Sequence, residues 1–201
     1  MLFITDHSAA VRSEGAHNAA FIGAVLSYFQ NAPVDHAMFC RGDAVWMGFF
    51  DLRGQYFKTA YAFKAMGKML DTPQRFAVEG TDTFGLAALA GRSADGKTVQ
   101  VFISNYAIPS SVLSTPHSAP DASKERFLAP RAGIVYRDNA GYNLAVDNLL
   151  WGNKAFSIKR YRISNSQNLE LVEEKQGSGG KLKLSSPMPT DTIDLIVLER
   201  K

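Results

Sequence analysis

The segment "LFITDHSA" at residues 2 to 9 places an acid, an imidazole and a hydroxyl, Asp6, His7 and Ser8, directly after four residues that read as a buried strand. A carboxylate held at a strand end can act as a nucleophile or move a proton. The three side chains do not form a triad among themselves, because neighbours on an extended chain point in alternating directions. A second group, Phe39, Arg41, Asp43 and Trp46, lies at or just after another apolar run, "VDHAMFC". Cys40 within that run reads as a packed thiol, since a reactive one needs an exposed, electropositive setting. His7, His17, His36 and His117 lack the paired spacing of a zinc site, so no metal is expected, and a single cysteine permits no internal disulfide.

The elements that must position these residues fall into two halves. From residue 1 to about 70 the pattern alternates strand and helix. "LFIT" is a continuous apolar run, and the stretch after it carries Ala20, Phe21, Ala24, Val25, Tyr28 and Phe29 at helical spacing. Ser13 and Glu14 suit the start of that helix; Asn31 and Pro33 suit its end. "VDHAMFC" follows as a second strand, and "FKTAYAFKAMGKML" returns to helical spacing through Tyr61, Ala65, Met66 and Met69, with Lys58, Lys64 and Lys68 on the other face. This βαβα order suits a parallel sheet covered on both faces.

After "DTPQ" the period changes. "FGLAALAGRS", "TVQVFISN", "GYNLAVDNL", "AFSIKRYRIS", "NLELVEE", "KLKLS" and "TIDLIVLER" are short segments separated by turns, the pattern of an antiparallel β-sandwich. Asp95-Gly96 is a hairpin signal, because glycine tolerates the positive φ of a tight turn. The proline- and serine-rich stretch "AIPSSVLSTPHSAPDASKERFLAP" has no period and reads as a long surface loop. Trp151, Tyr136, Tyr142 and Tyr161 read as core aromatics rather than as ligand platforms.

The composition is that of a globular protein: 201 residues, 46% hydrophobic and 20% charged. Its 22 basic and 19 acidic residues are interspersed, so no basic stripe points to nucleic acid or an anionic membrane, and no window reaches the apolar length of a membrane span.

The order of elements, with its motifs, resembles the C-terminal part of glycoside hydrolase family 39, the family of β-xylosidases and α-L-iduronidase. "ITDHSA" is similar to the family's "ITEWNSS"-type segment at the end of barrel strand seven. "GFFDLRGQYFKTAYAF" resembles the loop and last helix after strand eight, and "YNLAVDNLLWGNKAFSIKRYRIS" the sandwich strands that follow. The resemblance implies an α/β part joined to an all-β part: the last two βα units of a (β/α)8 (TIM) barrel at residues 1–72, then an accessory β-sandwich at residues 73–201. A whole barrel takes about 250 residues, so the earlier barrel units would be a missing partner.

The same resemblance implies hydrolysis of glycosidic bonds by the retaining route, carbohydrate as the partner and no cofactor. Asp6 then stands at the nucleophile position, and His7, Phe39, Arg41, Asp43 and Trp46 line the sugar subsite. The acid/base glutamate follows barrel strand four in this family, so no residue of the chain matches it, and the isolated chain is expected to be inactive. Aspartate at position 6, where the family has glutamate, sets the carboxylate back by about a bond length, and about 1 Å of misplacement can cost on the order of a hundredfold in rate. That departure keeps a second reading open: a non-catalytic β-sandwich protein with a degenerate barrel remnant, binding polysaccharide or a protein partner. On either reading residues 76 to 201 are expected to fold alone, and residues 1 to 70 to be an orphaned piece with open sheet edges.

Overall fold

A computed structural model of the chain describes residues 15–39, 42–44, 48–81, 85–108 and 137–200. Among the described residues two helices come first, α1 (Ala16–Phe29) and α2 (Lys58–Lys68), and α2 runs on into a 3-10 turn at Met69–Asp71. Eight strands follow among the described residues: β1 (Gln74–Arg75), β2 (Leu86–Arg92), β3 (Thr98–Asn105), β4 (Gly141–Val146), β5 (Ala155–Ile163), β6 (Asn168–Ser178), β7 (Leu182–Pro187) and β8 (Thr192–Arg200). Six of them form one sheet in the order β1-β2-β3-β8-β5-β6, while β4 and β7 pair as a second sheet. All of the ladders are antiparallel. The hairpin expected at Asp95-Gly96 joins β2 to β3, with Gly96 at φ 69° and its amide donating to the Ser93 carbonyl at 2.9 Å.

The alternation of side chains explains the layers. β8 is buried from Thr192 to Leu198 because both of its faces are covered. Ile193, Leu195 and Val197 join Leu89, Phe102 and Ile163 in a core beneath the helices. Ile196 and Leu198 join Val101, Ile103, Phe156 and Ile158 in a second core, closed by Val146, Leu182 and Leu184 of the smaller sheet. The molecule is thus helices on a six-stranded sheet on a two-stranded sheet.

Three features differ from the sequence expectation. The first is the face that α1 buries: Ala20 and Ala24 of the expected set are buried, but with Ala16, Ala19, Gly23 and Ser27 rather than with Phe21, which is left 50% exposed. Small residues decide this, because they let the helix backbone approach the sheet: a Cβ added at Gly23 would lie 2.9 Å from Ile193 Cδ1 and 3.0 Å from Phe102 Cζ. Second, residues 34–39 form no ladder among the described residues, and Met38 is 97% exposed. A strand of a parallel sheet needs neighbours on its edges, and none of the described residues supplies one; "LFIT" lies outside them.

The third difference concerns independence. The helices and the sandwich sheet share one core. Polar ties reinforce it: Ser104 Oγ donates to the Ala20 carbonyl at 2.6 Å, and Arg75 reaches Gln30 O at 2.6 Å and Asn31 Oδ1 at 2.8 Å. Lys58 Nζ, whose pKa burial draws down against the pull of Glu170, donates to Gln167 O at 2.9 Å and Asn168 Oδ1 at 2.6 Å. The expectation that residues 76 to 201 fold alone does not fit this packing, because removing the helices would leave that apolar sheet face bare.

Candidate functional site

Of the residues expected to line a site, Phe39 and Asp43 are described; Asp6, His7, Arg41 and Trp46 lie outside the described residues, as does Cys40. Phe39 and Asp43 are both held against one hairpin, residues 49–57. The hairpin closes because Asp51 Oδ1 accepts the amides of Arg53 and Gln55, each at 2.8 Å, while Gly54 takes φ 78° at the tip. Phe57 N donates to Phe49 O at 2.8 Å, and Phe50 bridges Tyr56 on one side and Ala44 on the other.

Phe49 projects from the inner face of this hairpin into a cluster of rings. Phe39 stacks on Phe49 with centroids 5.0 Å apart and planes 4° from parallel, and Phe63 of α2 lies 5.0 Å from each. One face of Phe39 is therefore occupied by protein. Asp43 anchors the approach through its main chain, its carbonyl accepting Phe49 N at 3.0 Å, and its residue is exposed. The structure thus brings Phe39 and Asp43 to the same hairpin.

A polar constellation that the sequence reading missed sits between the two sheets. Asp194 is completely buried on β8, yet its carboxylate is fully engaged. Arg162 grips it with Nε at 2.7 Å and Nη2 at 2.8 Å, Arg160 Nη1 reaches it at 3.2 Å, and the Tyr142 hydroxyl donates to it at 3.1 Å. Arg162 Nη2 also donates to Pro187 O at 2.7 Å, and Arg160 Nε to Glu173 at 3.0 Å. Burial, and then the negative charge of Asp194, push the Tyr142 phenol well above its ordinary pKa. Lys175, with Arg160, holds Glu173 below the usual carboxylate range. With its hydrogen bonds spent within the protein, this set serves to fasten β4 and β7 to the larger sheet. The signal was available: Arg160 and Arg162 alternate on β5, and an Asp interrupts the apolar run of β8.

Trp151 matches its expected role: it is 3% exposed, tilted against Phe156 at 5.2 Å, and its indole N–H donates to Gly96 O at 2.7 Å. Tyr161 packs on the core beneath the helices, and Tyr136 lies outside the described residues. A groove of about 750 Å³ runs between β2, β3 and β4, floored by Leu86, Val101 and Ile103, with Glu79 and Asp147 among its lining.

No protein-family model matches the chain, and no curated protein matches it by sequence. Among solved structures, a glucosidase from Croceicoccus marinus is similar over 92% of the chain, at 29% identity and a TM-score of 0.77. A GH39 enzyme from Xanthomonas axonopodis pv. citri and a monomeric beta-xylosidase from Caulobacter crescentus CB15 share the fold over 93% of the chain, each with a TM-score of 0.59, at 11% and 14% identity. The likeness to glycoside hydrolases holds. The antiparallel, sheet-rich architecture matches the C-terminal β-sandwich of glycosidases. The chain spans only 42%, 41% and 42% of these three structures, respectively.

Proposed function

We propose that the chain is the C-terminal portion of a retaining glycoside hydrolase, comprising the last βα units of a (β/α)8 barrel at residues 1–72 and an accessory β-sandwich at residues 73–201. The observation that carries this reading is the similarity to a glucosidase over 92% of the chain at 29% identity. In the complete enzyme Asp6 attacks the anomeric carbon, and an upstream glutamate first protonates the leaving oxygen and then activates water. His7, Phe39, Arg41, Asp43 and Trp46 line the subsite of the reacting sugar, where aromatic rings face the sugar's C–H surface and charged groups bond its hydroxyls. The role of the sandwich follows from packing: its sheet supplies the surface on which α1 and α2 rest, and so positions the hairpin at residues 49–57 that precedes α2.

The experiment compares the isolated chain with the product of the longer gene on nitrophenyl glycosides. The isolated chain is expected to give no turnover above a blank, because one of two required carboxyl groups is absent from it. The longer protein is expected to turn over and to lose at least a hundredfold in kcat with Asp6→Asn. Turnover by the isolated chain, abolished by Asp6→Asn, would overturn the assignment.

A further inference from the structure

Phe39 and Asp43 stand at the two ends of a short segment, and a single residue of the hairpin holds both. Phe49 lays its ring on Phe39, with centroids 5.0 Å apart and planes 4° from parallel. The same ring passes Gly42, where an added Cβ would lie 3.6 Å from Phe49 Cε2. The Phe49 amide donates to the Asp43 carbonyl at 3.0 Å, and the next residue, Phe50, bridges Ala44 in parallel. Phe49 is itself fixed from two directions. Its carbonyl accepts Phe57 N at 2.8 Å across the hairpin that Asp51 closes, and Phe63 of α2 lies 5.0 Å from its ring. α2 in turn is seated on the six-stranded sheet through Ala62 and Ala65, both fully buried. All of these contacts are made within the chain, so they owe nothing to exposure.

We propose that Phe49 is a positioning residue of the sugar subsite: it clamps Phe39 and Asp43 in one fixed relation and so sets how tightly the reacting sugar is held. The inference rests on the glycosidase reading for the roles of Phe39 and Asp43. Its physical ground is that groups gripping a substrate must be held to a fraction of an ångström by neighbours that are themselves locked. A stack of flat rings fixes the tilt of Phe39 as well as its place, whereas an aliphatic side chain in the same space would fix only the place. The line of support runs from the sheet through α2, Phe63 and Phe49 to Phe39, which ties the subsite to the most rigid part of the molecule.

The test measures kcat and KM of the product of the longer gene on the nitrophenyl glycoside it turns over. Phe49→Leu is expected to raise KM about tenfold or more with kcat largely kept, because it loosens groups that hold the sugar before and during reaction alike. Phe49→Tyr, which keeps the flat ring, should restore a KM near that of the parent. Partial unfolding lowers the active fraction, and so kcat, without moving KM. Val99→Ala, in the core between the sheets, is the control: it should lower the melting temperature and leave KM alone. Should Phe49→Leu fail to fold, Asp51→Ala decides, since it opens the turn that holds Phe49 and should raise KM about threefold or more. A parent-like KM in the folded Phe49→Leu variant, or an equal rise in Val99→Ala, would overturn this role and leave the glycosidase reading intact. No turnover by the parent would overturn that reading, and this role with it.

Discussion

The most heavily committed residue is Asp194, a carboxylate without solvent contact that two arginines and a tyrosine satisfy. Removing one partner of a buried ion pair leaves the others charged and uncompensated, which costs about 3–5 kcal/mol. Asp194→Ala is therefore expected to lower stability by that amount in urea, whereas Tyr142→Phe, which deletes one hydrogen bond, should cost only about 1 kcal/mol. Similar losses for the two would mean that the arginines relax to water. Glu173 gives a pH signature. Its folded pKa lies below its ordinary value of 4.5, so its contribution is complete above that value and is lost as pH falls through the lowered one. Stability should therefore drop between about pH 5 and pH 3, and Glu173→Gln should flatten part of that slope, the exposed Asp95 accounting for another part. A slope unchanged in Glu173→Gln would show that its pairing does not survive in solution. None of this was read from the sequence, because a carboxylate in an apolar strand finds its partners only when β5 and β8 become neighbours.

At the level of elements, the strands after residue 85 were legible, whereas the strand expected at 34–40 and the faces of the helices were not. Alternation and turn residues located β3 and β8 closely, since both signals are local. For α1 the apolar spacing named Ala20 and Ala24, which are buried, together with Phe21, Val25, Tyr28 and Phe29, which are not; the helix is apolar nearly all round, and a period cannot choose a face when every face qualifies. The choice is made by distance of approach, which favours Ala19, Ala20 and Gly23. Gly23 carries the sharpest consequence. Glycine costs about 1 kcal/mol relative to alanine within a helix, so its place here must be won by contact. Gly23→Leu should drive a side chain into Ile193 and Phe102 and destabilise by at least about 2 kcal/mol, more than the helix propensity returns. A melting temperature equal to that of the parent would mean that α1 does not rest on the sheet as described. The candidate site was legible in part: Phe39 was singled out for its aromatic ring, but its stacking on Phe49 depends on a hairpin whose closure by Asp51 was not read.

For the molecule as a whole, the boundary near residue 72 divides two sequence patterns but not two cores. A Cβ added at Gly91 on β2 would fall 2.1 Å from the Thr72 carbonyl, so the segment leaving the helices lies directly on the sheet. A chain of residues 73–201 should expose Leu89, Phe102, Ile193 and Leu195 together, a patch large enough to drive association. Light scattering is expected to show oligomers or aggregate; a stable monomer melting like the full chain would separate the two parts after all. The outward residues of α1, with Phe21 half exposed, and the span of only 42% of the similar glucosidase, support the proposal that more barrel belongs with this chain. The most direct measurement is the genomic DNA upstream of the Met1 codon. The account predicts a continuous reading frame encoding six more βα units, with the acid/base glutamate after the fourth strand; a stop codon followed by a ribosome-binding site immediately before Met1 would contradict it.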